Sequence, residues 1–229
     1  MRKFVVVVAA LVGVSTFMAE TTAQDAAKGV AVDKAKRTVT VDAKVAPRKL
    51  EHLKGEVYPV ELIASWPHPR GKKAHETVVT FEAEPSAVHK GLEEIGLKAG
   101  KPARGDGAKA EGPVVNVFVE VPDPAGGTKR LPFEKVLMDP KTKKAPPKLT
   151  FHFTGSVMTA VDPSKPDEKK YGADFTGSLI ALFPVTDETV LQTAWTMKEE
   201  KFLKLDVNPD ALPKEGTPVK LVIEVPANK

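Results

Sequence analysis

The chain has 229 residues, 34 Lys and Arg against 30 Asp and Glu, a formal charge of +4, and no cysteine. Without cysteine there is no disulfide, thiolate zinc site, cysteine nucleophile or acylated N-terminal Cys. The basic residues sit in Pro-rich loops such as Lys141-Thr142-Lys143-Lys144, or beside acids, as at Asp167-Glu168-Lys169-Lys170. With only two Trp and two Tyr, this speaks against the basic, aromatic-interleaved face of a nucleic-acid binder.

In chain order, the first segment reads as a secretory signal peptide over residues 1–23. Arg2 and Lys3 give a positive head, Phe4 to Val14 an apolar run, and Thr21-Thr22-Ala23 a small-residue cleavage site before Gln24. The apolar run is about half the length needed to span a bilayer. Cleavage would remove 23 of 229 residues, leave 206, and lower the net charge from +4 to +3. That length suffices for one domain with its own core, in a periplasmic or extracellular compartment.

Residues 24–37 are small, polar and charged, and are expected to form a flexible tether. From residue 38 to 229 a single β-rich domain is expected. Val39, Val41, Ala43 and Val45 alternate with polar residues, as in a half-buried strand. Further β-rich runs are Val57 to Ala64, His75 to Glu82, Val114 to Val121, Leu149 to Phe153, Ser178 to Phe183, Thr189 to Trp195 and Pro218 to Val225. Pro and Gly punctuate nearly every gap, so the pattern predicts an antiparallel sandwich or barrel-like sheet.

One stretch breaks this rhythm. Pro85 suits a first helical position, Gly96 a left-handed stop, and Val88, Leu92 and Ile95 form one apolar stripe between them. A helix over about 85–95, packed on the sheet, is expected. Lys101 to Gly112 reads as a surface loop. Phe153-Thr154-Gly155-Ser156-Val157-Met158 echoes Phe175-Thr176-Gly177-Ser178-Leu179-Ile180, which suggests two neighbouring strands, each begun by a Gly.

The strand from His75, the helix carrying His89 and the closing Gly96-Leu97-Lys98-Ala99-Gly100 resemble the core of the YdjY-like proteins, an exported bacterial family. Gly155-Ser156, Tyr171-Gly172-Ala173-Asp174-Phe175-Thr176-Gly177 and Gly216-Thr217-Pro218-Val219 resemble that family as well. The likeness covers about residues 50 to 225. It implies a fold and a compartment but no reaction, because the family has no established activity.

His75-Glu76 lacks the second His that a zinc-protease helix needs at residue 79, which is Val. There is no Gly-x-Ser-x-Gly elbow and no phosphate-binding glycine loop. Four residues remain as candidates. His75 and His89 would be metal ligands if the helix packs on the His75 face of the strand, with Asp174 a third donor and a divalent transition metal the cofactor. Glu76 and Asp174 would contact another ligand. On a regular strand His75 and Glu76 face opposite ways. The simpler reading makes His75 a surface residue, pairs His89 with Glu93 on a solvated helix face, and leaves Asp174 to satisfy a turn. The expected function is that of an exported, non-catalytic binding or accessory domain, whose partner is an envelope protein, a polymer or an ion. The alternatives are a metal-binding protein using His75 and His89, and a hydrolase using His75, Glu76 and Asp174 as acid–base groups.

Overall fold

The structure, a computed structural model, describes residues 28–227. The expected signal peptide lies outside the described residues. The chain opens with β1 (Val30–Asp33) and β2 (Thr38–Val45), then β3 (Leu62–Ser65), β4 (Thr77–Phe81) and helix α1 (Pro85–Glu94). A second hairpin of β5 (Val114–Pro122) and β6 (Thr128–Pro132) leads to the single turn α2 (Phe133–Val136) and β7 (Leu137–Met138). Next come β8 (Phe151–Phe153), the hairpin β9 (Met158–Ala160) and β10 (Lys169–Tyr171), and the short helix α3 (Gly172–Thr176). Strands β11 (Ser178–Ala181) and β12 (Leu191–Thr193), helix α4 (Met197–Phe202), β13 (Asp206–Val207) and β14 (Pro218–Glu224) complete the order.

Eight strands close into a barrel in the order β2-β14-β5-β8-β12-β11-β3-β4, because β4 pairs back onto β2 at Ala43↔Phe81 and Val45↔Val79. The mainly β, barrel-like expectation holds, with two refinements. The β3–β4 and β11–β12 pairs are parallel. For β3–β4, the connection over residues 66–76, which ends in a 3-10 turn at Ala74–Glu76, carries the chain back before β4 starts. Strand β4 is also buried along its whole length, Thr77 and Thr80 included, so alternation there does not mark a wet face.

The tether expectation needs correction. Val30 to Asp33 pair with β2 in the register Val30↔Val41 to Asp33↔Thr38, and Val30 is 6% exposed. Residues 34–37 form the hairpin turn, in which the Lys36 amide donates to Asp33 Oδ1 at 2.9 Å. In the sequence the surrounding charged residues mask the alternation of Val30 and Val32, and long-range pairing with β2 overrides that local composition.

Helix α1 forms as its caps predict. Pro85 occupies the first turn, and Gly96 takes φ 87° with its N–H on Glu93 O. Val88 and Leu92 are fully buried and Ile95 nearly so. Gly91 lets the helix sit close on the first hairpin: a Cβ there would lie 3.0 Å from a Val32 methyl and 3.4 Å from both Val39 methyls. His89 is left on the helix shoulder, facing β8 and β10. The 101–112 loop is pinned by Gln192, 1% exposed, which accepts from the Ala103 amide and donates to the Ala103 and Thr186 carbonyls.

The echoed segments are not neighbouring strands. Gly155-Ser156 links β8 to β9, whereas Gly177 caps α3, and β12 separates β8 from β11. What the two glycines share is a left-handed backbone, φ 67° and 73°. The first is pressed against His89 and Ala99, the second against Trp66.

Candidate functional site

The first polar cluster forms where α1 meets the β9–β10 hairpin. His89 Nδ1 lies 2.7 Å from the Tyr171 hydroxyl, which also accepts from the Ser156 amide at 3.1 Å. Burial pushes the Tyr171 phenol well above its ordinary range; the Ser156 amide opposes this, and the Asp174 and Glu93 carboxylates add to it. The phenol therefore keeps its proton, and its hydroxyl shares with His89 Nδ1 one hydrogen bond whose donor follows the imidazole tautomer. On the other side of the ring His89 Nε2 faces Glu93 Oε1 at 3.5 Å. The ring is further held edge-on by Phe153 and Tyr171, with centroids 5.0 and 5.4 Å away. Ser156 Oγ accepts from the Ala173 amide at 3.0 Å and approaches the Val157 and Asp187 carbonyls at 3.3 and 3.4 Å, so the hydroxyl is engaged with backbone.

Asp174 caps α1 from another element. Its Oδ1 accepts from the Ser86 amide at 2.8 Å, placing a carboxylate at the positive end of the helix dipole. Beside it Glu84 is shifted upward, first by burial and then by the Asp174 carboxylate, with Arg70 opposing.

His75 and Glu76 form a second cluster. They lie in a 3-10 turn over Ala74–Glu76 rather than on β4, and that turn brings both side chains to one side. His75 Nε2 is 3.2 Å from Glu76 Oε1, and Tyr58 meets the His75 ring edge-on at 5.0 Å. Lys73 Nζ bridges Glu76, at 2.6 Å, to Glu61. Burial raises Glu61 above its ordinary range despite Lys73, and Glu76 adds to the rise. For Lys73 burial disfavours the charge, but the two carboxylates outweigh it and hold the ammonium above its usual range.

The two clusters are separate. The turn carrying His75 enters β4 at one end, and α1 leaves from the other, about 16 Å of strand away. His75 contacts Tyr58 and Glu76, whereas His89 contacts Tyr171, Phe153 and Glu93. The expectation that they share an ion fails because α1 packs on β1 and β2, beyond the far end of β4, and not on the His75 side. Among the described residues no group of three or more His, Cys, Asp or Glu could hold a metal ion. The hydrolase trio is likewise not assembled, since Asp174 is committed to α1.

Sequence reasoning missed four partners. Tyr171 and Ser156 lay within the family-like motifs, but their approach to His89 depends on a hairpin joined to a distant helix. Lys73 had a legible signal in its i, i+3 spacing to Glu76, whereas Glu61 reaches it only across the β3–β4 pairing.

The third feature is a groove of about 1010 Å³ on the barrel wall, large enough for a ligand site. It crosses the outer face of β2, β14 and β5, with the β5–β6 turn on one side and Ala83 and Gly29 on the other. Lys44, Asp42, Lys220 and Glu120 project from alternate strand positions, and Pro122, Pro218 and Thr128 fill between them. Its acids are paired within the protein: Asp42 with Lys220 at 2.6 Å, Glu120 with Arg130 at 2.8 Å, and Glu82 with Arg70. Lys44 has no ion-pair partner among the described residues.

The family model described as the YdjY domain matches residues 30–224. No curated protein and no solved structure is significantly similar to the chain.

Proposed function

The chain belongs to the YdjY family, and from that premise we propose that it is an exported, non-catalytic binding domain whose ligand lies in the groove across β2, β14 and β5. The observation that carries this reading is the groove itself: a rigid floor of paired strands with charged groups exposed at regular spacing. The two polar clusters support it from the other side. Their hydrogen-bonding groups are engaged with one another and with backbone, as in networks that hold elements together. Export rests on the N-terminal head, apolar run and cleavage pattern. No helix among the described residues is long and apolar enough to cross a membrane.

The reading is tested by placing a photo-crosslinking amino acid at Thr128 or Lys44 in cells, with Lys148 on a different part of the wall as control. A discrete adduct in the envelope fraction from the groove positions only is expected. Equal adducts from Lys148, or none from the groove, would contradict it.

A further inference from the structure

The groove's chemistry narrows its ligand. Its polar groups are open: Lys220 and Asp42 are 56% and 66% exposed at the side chain. A small-molecule site buries most of its ligand around a few enclosed polar anchors, whereas this floor offers charges along an open trough. Phe81, the aromatic residue of the lining, is 2% exposed and faces the core, so a nucleobase has no face to stack on.

The charge pattern points further. Each acid in the lining has a basic partner, whereas Lys28 and Lys44 have none among the described residues. The Lys220–Asp42 pair is solvent-exposed, and exposed pairs of this kind are weak and exchange readily. Lys28, Lys44 and Lys220 are therefore available to an incoming anion. Lys44 lies opposite Pro218 in the β2–β14 register, so Lys220 is its diagonal neighbour, about 7–8 Å away. In an extended chain the side chains at i and i+2 point the same way, about 6.6–6.8 Å apart.

On the reading that this groove is the binding site, we propose that it takes an extended segment of an acidic polypeptide, with carboxylates at alternate positions meeting Lys44 and Lys220. The intervening side chains lie over Pro218 and Pro122. Lys220 spans Asp42 and the incoming carboxylate, as Lys73 spans Glu76 and Glu61, and Glu120 stays held by Arg130, so neither acid is left unpaired against the ligand.

The test uses the purified protein and a fluorescent ten-residue peptide alternating Glu with Val, followed by anisotropy at low salt and by backbone amide shifts. A Lys-for-Glu peptide and a polyphosphate chain serve as comparisons. The Glu peptide should bind with shifts centred on residues 42–44, 80–83 and 218–220, and affinity should fall as salt rises. Lys44→Glu and Lys220→Glu should each weaken it about tenfold, and both residues are exposed enough to be changed without disturbing the core. Equal binding of the Glu and Lys peptides, or no loss in either variant, overturns the proposal. Polyphosphate binding in the groove without peptide binding overturns the polypeptide but leaves the groove reading standing. Shifts outside the groove for every probe overturn both.

Discussion

Tyr171 joins three elements through one hydroxyl, and its environment has a measurable signature. Its folded-state titration lies above the ordinary tyrosine range, so the stabilisation it brings is fully present below about pH 10 and is lost as pH rises through the higher folded value. Alkaline ultraviolet titration should show Tyr58, half-buried and raised mainly by its hydrogen bond to Glu56, ionising first, and Tyr171 only as the protein unfolds. Tyr171→Phe strands His89 Nδ1 and the Ser156 amide, and should cost about 1–3 kcal/mol in denaturant unfolding at neutral pH. Two titration steps of equal, ordinary position would show that the phenol is not enclosed. Glu61 works the same way at acid pH. Its raised value favours the protonated fold, so stability should fall as pH climbs above its ordinary 4.5, and Glu61→Gln should flatten that fall. A pH profile identical in the variant would remove Glu61 from the account. Histidines 75 and 89 stood out in the sequence by type, but a side chain's partners across a fold are set by pairing that no local spacing encodes.

Helix α1 was the most legible element, because Pro85, Gly96 and the Val88–Leu92–Ile95 stripe each act within three turns. Leu92→Ala should cost about 2–5 kcal/mol, measured by the denaturation midpoint, since Leu92 is fully enclosed. Asp174→Ala should cost about 0.5–2 kcal/mol and speed amide exchange at Ser86. Unchanged exchange there would mean that α1 does not depend on its borrowed cap. The long strands were legible for a similar reason, as β2, β5 and β14 show clear alternation. The two-residue strands β7 and β13, the single turns α2 and α3, and the turn at His75 were not, because such short pieces exist only through tertiary contacts. Strand β1 is hidden in the sequence for the same cause: four residues with two valines carry little signal until β2 lies beside them.

The barrel as a whole follows from the count and spacing of strands, but its closure does not. Whether eight strands form a sandwich or a barrel depends on β4 meeting β2, and no sequence interval states that contact. The groove is a product of the closed sheet, since Lys44, Lys220 and Glu120 come from segments far apart in the chain. Export is a whole-molecule expectation as well: N-terminal sequencing of protein from native cells should begin near Gln24, and an intact Met1 would contradict it. The central claim, that this molecule works by holding a ligand against its wall, is tested most directly by amine labelling with mass-spectrometric readout, comparing protein in the intact envelope with purified protein. Lys44 and Lys220 should be shielded in the envelope while Lys148 and Lys101 label equally in both. Equal labelling of Lys44 and Lys220 in the two states would contradict the account.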